Sequence, residues 1–142
     1  MPVRTRAQAA LLIVLSLALT SCSRPAPPGG TTAQGVRVTD VNLGRSLNAD
    51  KTIGDNTDSF RPIDTIYASV VTEGTSSSAT LRARWTYQDG QLVDESVQTI
   101  APTGKATTEF HISKPDGWPT GKYKVEVSLN GASAGTKDFE VK

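Results

Sequence analysis

One cysteine, Cys22, and one histidine, His111, are all that this 142-residue chain offers toward thiol, imidazole or zinc chemistry. His111 lies between Phe110 and Ile112 in an alternating stretch. It therefore points away from that apolar pair, toward solvent or an edge. A hydrolytic triad through His111 needs a serine and an acid from elsewhere, and no nucleophile-elbow motif supplies the serine. Even with Cys22 added, a tetrahedral zinc site is two ligands short. Asp94 and Glu95 are neighbours on a strand pattern, so they point to opposite faces. They are not the facing carboxylates that glycoside hydrolysis requires. Asn48, Asp50, Asp55, Asn56 and Asp58 bring oxygen ligands into one long loop, which suits calcium. Counted from Asn48, however, the sixth and twelfth positions are Ile53 and Ser59, where an EF-hand needs Gly and Glu. Turn formation by Asp and Asn is the competing reading. No glycine-rich phosphate loop occurs. The expectation is a protein that is not an enzyme, with no metal and no cofactor.

Binding chemistry is better represented. Trp118 stands in the loop Asp116-Gly117-Trp118-Pro119. It is either a plug over the core or an aromatic anchor for a partner or a sugar, because Trp supplies large contact area at low entropic cost. Trp118, Pro119, Asp116 and Arg61 are the candidate partner-binding residues. Arg82, Arg84, Lys122 and Lys124 form a basic stripe if their two strands are neighbours, with Glu126 and Asp94 placed to balance it.

The N-terminus carries a different kind of chemistry. Residues 1–8 hold Arg4 and Arg6 and no acid, and residues 9–19 are uncharged and largely apolar. This is the order of a secretory signal. An apolar run of about 11 residues is too short for a membrane-spanning helix, which needs roughly 20. Leu19-Thr20-Ser21-Cys22 resembles the lipobox of bacterial lipoproteins. The resemblance implies diacylglycerol on the Cys22 sulfur, cleavage between Ser21 and Cys22, and an acylated new N-terminus, so that residues 1–21 are a cleaved signal peptide. The lipid bilayer is then one partner, since several acyl chains anchor nearly permanently where one is marginal. Ser23 stands where Asp favours inner-membrane retention in Gram-negative lipoproteins. It implies the outer membrane in such a cell, with the domain facing the periplasm or the cell surface. Residues 24–34, RPAPPGGTTAQ, are rich in Pro and Gly, so residues 22–35 read as a lipidated cysteine and a flexible linker.

Removing residues 1–21 leaves 121, with 13 basic against 14 acidic side chains. A near-neutral domain has no electrostatic case for nucleic acid. No cysteine is left for a disulfide, so one apolar core must hold residues 36–142 together. Apolar residues recur there with period two: Val36, Val38 and Val41; Ile66, Ala68 and Val70; Leu81, Ala83, Trp85 and Tyr87; a strand over 92–99; Thr108, Phe110 and Ile112; Tyr123, Val125, Val127 and Leu129; and a last strand ending at Phe139 and Val141. Asp89-Gly90 and Asn130-Gly131 match the tight-hairpin signal. The spacing predicts an all-β, seven-stranded antiparallel sandwich.

These strands resemble an immunoglobulin-like or fibronectin-III-like domain. The resemblance implies that Trp85 is the core tryptophan, Tyr123 the corner tyrosine, Val125 a stand-in for the usual cysteine and Val71 its opposing partner. Loops alternate between the two ends of such a sandwich, so 44–62, 89–90 and 114–120 should share the end remote from the linker. The function expected is a non-catalytic protein-binding or structural module of the bacterial cell envelope, with an envelope protein as partner. An inhibitor or accessory factor of an envelope enzyme is one alternative. A carbohydrate-binding module using Trp118 with Tyr67 or Tyr87 is another.

Overall fold

The structure is a computed structural model and describes residues 35–142. The expected signal peptide, with Ser21 and Cys22, and the expected linker up to residue 34 lie outside the described residues. Period-two patterning produces eight strands and, among the described residues, no helix. They are β1 (Arg37–Gly44), β2 (Ser59–Phe60), β3 (Ile66–Glu73), β4 (Ala79–Tyr87), β5 (Gln91–Ile100), β6 (Ala106–Ile112), β7 (Gly121–Leu129) and β8 (Ala132–Val141). One sheet has the order β1-β3-β6, the other β2-β8-β7-β4-β5. The alternating apolar side chains of both sheets meet in one core that includes Val70, Phe110, Leu81, Trp85, Val125 and Val127.

Three sequence expectations need correction. The first is the strand count and direction. Ser59-Phe60 adds an eighth strand inside the long loop and pairs in parallel with Glu140-Val141. Two residues are too few to show a period, yet Phe60 is buried and meets Phe139 edge-to-face at 5.5 Å. The second is Val71. In β3 the fully buried apolar positions are Ile66, Ala68 and Val70, with Thr72 continuing their face, while Val71 is only half-buried. Alternation gives neighbouring residues opposite faces, so the inward residue here is Val70. The third is the β4–β5 hairpin. Tyr87 pairs with Gln91, which makes a three-residue loop, and the positive φ angles fall on Gln88 (52°) and Gly90 (108°), not on Asp89. Asn130 and Gly131 do form the two-residue loop expected of them, with φ of 50° and 85° between the paired Leu129 and Ala132.

Trp85 and Val125 are fully buried and paired across β4 and β7. Tyr123 is buried too, and its hydroxyl donates to the Pro119 carbonyl at 2.7 Å. Burial pushes the Tyr123 phenol above its ordinary pKa, and the neighbouring Tyr87 adds to this. Removing one hydrogen bond while keeping the ring should cost about 0.5–1.5 kcal/mol. Tyr123→Phe is therefore expected to shift a urea midpoint slightly and leave the slope unchanged.

Candidate functional site

Loops sort cleanly between the two ends. At the end where the described chain begins, Gly104 N–H donates to Gly74 O, Ser76 N–H to Pro102 O and Asn130 N–H to Thr80 O. The opposite end gathers 45–58, 61–65, 88–90 and 113–120. Here Trp118 N–H donates to Pro62 O at 2.7 Å and Gln88 N–H to Lys122 O at 2.9 Å. This remote end holds Trp118, Pro119, Asp116 and Arg61.

Asp64 organises it. Its carboxylate accepts from the Arg61 backbone N–H (2.8 Å), from Arg61 Nη2 (2.8 Å) and Nε (3.1 Å), and from Arg45 Nε (3.1 Å). Arg45 reaches on to Asp55 and to the Ser59 carbonyl, which ties the long loop down. Burial alone would raise the Asp64 pKa. The bonds from Arg61 and the charges of Arg61 and Arg45 outweigh it and hold the carboxyl below the usual range. A depressed folded pKa contributes stability above the unfolded value of about 3.9, and that contribution is lost as pH falls through the folded pKa. Urea midpoints should therefore fall below about pH 4, and Asp64→Asn should flatten that part of the acid limb. An identical acid limb in the variant would show that the network is not coupled to folding.

The same turn corrects the reading of Trp118. Its indole Nε1 donates to Asp64 O at 3.0 Å, its ring meets Tyr123 edge-to-face, and only 7% of the residue is exposed. Gly117, at a φ of +87° against Pro62, lets the loop dock this closely. Trp118 is a plug over the core and presents no free face to a partner or sugar. Arg61 is exposed, but its guanidinium is engaged by Asp64. Asp116 and Pro119 are exposed on the loop surface. The residue that sequence reasoning missed is Ile63, 76% exposed at the tip of this braced turn. Its position just before β3 reads as the start of an apolar strand, so no local signal marks it as free.

Beside Trp118 a cleft of about 330 Å³ opens, lined by Tyr87, Leu92, Val93, Asp94, Lys114 and Tyr123 among others. The Tyr87 hydroxyl donates to Thr120 O at 2.9 Å. Tyr67 is elsewhere, on the outer face of the other sheet, beside His111 at 5.5 Å. His111 is exposed, and its Nδ1 lies 3.0 Å from Glu109. The basic stripe does not form. β4 and β7 are neighbours, but Arg84 stands in register between Glu95 and Glu126, Arg82 is 4.0 Å from Glu95, and Lys124 is 3.7 Å from Asp138. The result is a balanced polar face. In the long loop, Asp50 bonds Thr52 and Asp55 pairs with Arg45. Among the described residues, no three His, Cys, Asp or Glu side chains converge as a metal would require.

No protein-family model matches this chain, and no curated protein matches it. Solved structures do. An immunoglobulin-like protein from Pseudomonas aeruginosa is similar at 16% identity and a TM-score of 0.50, covering 80% of this chain and 100% of that one. An alkylpurine DNA glycosylase from Pseudomonas fluorescens, solved on DNA containing an abasic-site analogue, is similar at 13% identity and a TM-score of 0.53. That match covers 76% of this chain but 30% of the glycosylase. Identities this low are a likeness of fold alone. The shared fold is the immunoglobulin-like β-sandwich.

Proposed function

We propose that this chain is a lipid-anchored, non-catalytic protein-binding module of the bacterial cell envelope. Cys22 carries the anchor after cleavage behind Ser21, residues 23–35 form the tether, and the sandwich of seven main strands with the short β2 is the binding domain. In a Gram-negative cell, Ser23 favours the outer membrane. The observation that carries the binding role is Ile63, 76% exposed on a turn braced by Asp64, Arg45 and Trp118 at the end remote from the tether. A large apolar side chain held rigidly in water costs little ordering entropy when it docks, and loops on a rigid scaffold are where binding residues gather. Asp116 and Pro119 flank that surface. Burial of Trp118 counts against the sugar-binding alternative, which needs its ring face.

Two measurements test the reading. Metabolic labelling with a fatty-acid analogue should mark the wild type and leave Cys22→Ser unmarked. A photo-crosslinking residue at position 63 should capture an envelope protein that the same residue at position 103, at the opposite end, does not. An unlabelled wild type would remove the anchor, and equal capture at both positions would remove the working end.

A further inference from the structure

The two margins of the sandwich differ. On one, β2 covers the end of β8, and Gly135 of β8 lies against Val41 of β1. On the other, β5 is bonded only to β4 and β6 only to β3, so each sheet ends in an unpaired strand edge. Gln98 spans this margin, its Nε2 donating to Glu109 O at 2.6 Å. The remote end of the same margin widens into the cleft beside Trp118.

We propose that β5 and this cleft together receive an extended segment of a partner protein, which adds to the free edge of β5, seats an apolar side chain in the cleft and sets a basic residue beside Asp94. The proposal rests on the protein-binding reading above and names the chemistry of its partner. Strand addition to an exposed edge draws affinity from main-chain hydrogen bonds and specificity from pockets for alternate side chains. The cleft is such a pocket. Its volume of about 330 Å³ is at the small end of ligand sites, which run from roughly 300 to 1,000 Å³.

Its lining is mixed, with an apolar part that can seat a side chain and a polar part that can meet its neighbours. The polar atoms of its aromatic wall are engaged within the protein: Tyr87 OH by Thr120 O, Tyr123 OH by Pro119 O and Trp118 Nε1 by Asp64 O. What remains is the half-buried Tyr87 ring and the aliphatic surface of Leu92, Val93 and Pro119, beside a polar part formed by Gln91, Asp94, Ser113 and Lys114. Leu92, 52% exposed, extends the apolar surface onto the strand edge.

Charge then selects the occupant. Asp94 sits at the bulge where β5 slips against Trp85 and Thr86, and it lines the cleft. One carboxylate oxygen accepts from the Glu95 N–H at 2.8 Å, and the other meets no donor among the described residues. Lys114 stands on the facing wall, contributed by the β6–β7 loop. A segment with its base toward β5 satisfies Asp94 and leaves Lys114 to its carbonyls or an acid. A second copy of this chain fits poorly. Antiparallel β5–β5 pairing brings Asp94 and Glu95 of both copies together near its centre, and like charges on facing strands repel.

The test uses the mature lipoprotein in detergent micelles and a phage-displayed library of random linear peptides as probe. Selected peptides should carry a large apolar residue with Lys or Arg close beside it. A synthetic copy of one should shift the backbone amide resonances of residues 91–98 and 113–119. Asp94→Lys should weaken it roughly tenfold or more, since it juxtaposes like charges, while the melting temperature holds. Five results would each overturn the proposal: no selection above background, amide shifts confined to the Ile63 turn, unchanged affinity in Asp94→Lys, a concentration-dependent homodimer that shifts β5, or a glycan that fills the cleft with β5 unmoved. Cys22 labelling and capture at position 63 are read separately, so a failure here leaves the envelope reading standing.

Discussion

Replacing Trp85 by Ala should destabilise the domain by about 3–5 kcal/mol, the range for truncating a large buried aromatic. Trp85 is fully buried at the centre of β4, meets Phe139 edge-to-face at 5.9 Å and pairs across to Val125. No disulfide relieves the core, because the chain holds a single cysteine. Domains of this size are stable by only about 5–15 kcal/mol, so the variant should be marginally folded at room temperature. The indole Nε1 of Trp85 is buried without a hydrogen-bond partner, and leaving such a group unpaired costs about 1–3 kcal/mol. Trp85→Phe should therefore cost distinctly less than Trp85→Ala, because it removes the orphaned N–H while keeping most of the apolar bulk. Urea unfolding followed by circular dichroism measures both. An Ala variant with the wild-type midpoint would mean that β4 turns its other face to the core.

Trp118→Ala should cost about 3 kcal/mol or somewhat more, since a loop tryptophan buried this far behaves as core. The change opens the end of the sandwich beside Tyr123 and strips the Asp64 carbonyl of the indole donor. The Trp118 backbone bond to Pro62 survives in the variant, so the loop stays attached while its plug is lost. For a domain of about a hundred residues, the melting temperature should drop by roughly 10 °C or more. Trp118→Phe should recover most of it and miss only the indole hydrogen bond. The opposite result, an unmoved melting temperature with partner binding lost, would make Trp118 an exposed anchor and contradict its burial.

Much of the scaffold is legible without a structure because strands advertise themselves locally. In β4 and β7 every second residue is apolar and the residues between are polar, so Trp85, Tyr123 and Val125 declare their face. The same rule makes His111 an outward residue of β6. The Asn130-Gly131 hairpin is legible because both residues tolerate positive φ. Val71 marks the limit of a resemblance used in place of that rule. A fourteen-residue count back from Trp85 selects it, whereas alternation selects Val70.

The loop end around Trp118 is a different matter. Whether Trp118 is buried depends on Pro62 and Asp64, more than fifty residues away, arriving under its ring. Ile63 is free only because Arg45 and Arg61 both close on Asp64 and turn the chain outward. Phe60 becomes a strand residue only because the end of β8 lies beside it. Residue types, their period and turn chemistry therefore determined by themselves that this chain makes alternating strands with a tryptophan core. Tertiary structure alone decided which loop residues are covered, which acids are left without a cation and which strand edges are left open. Strand pattern is written in neighbours two residues apart, whereas exposure at a loop end is set by side chains that only folding brings together.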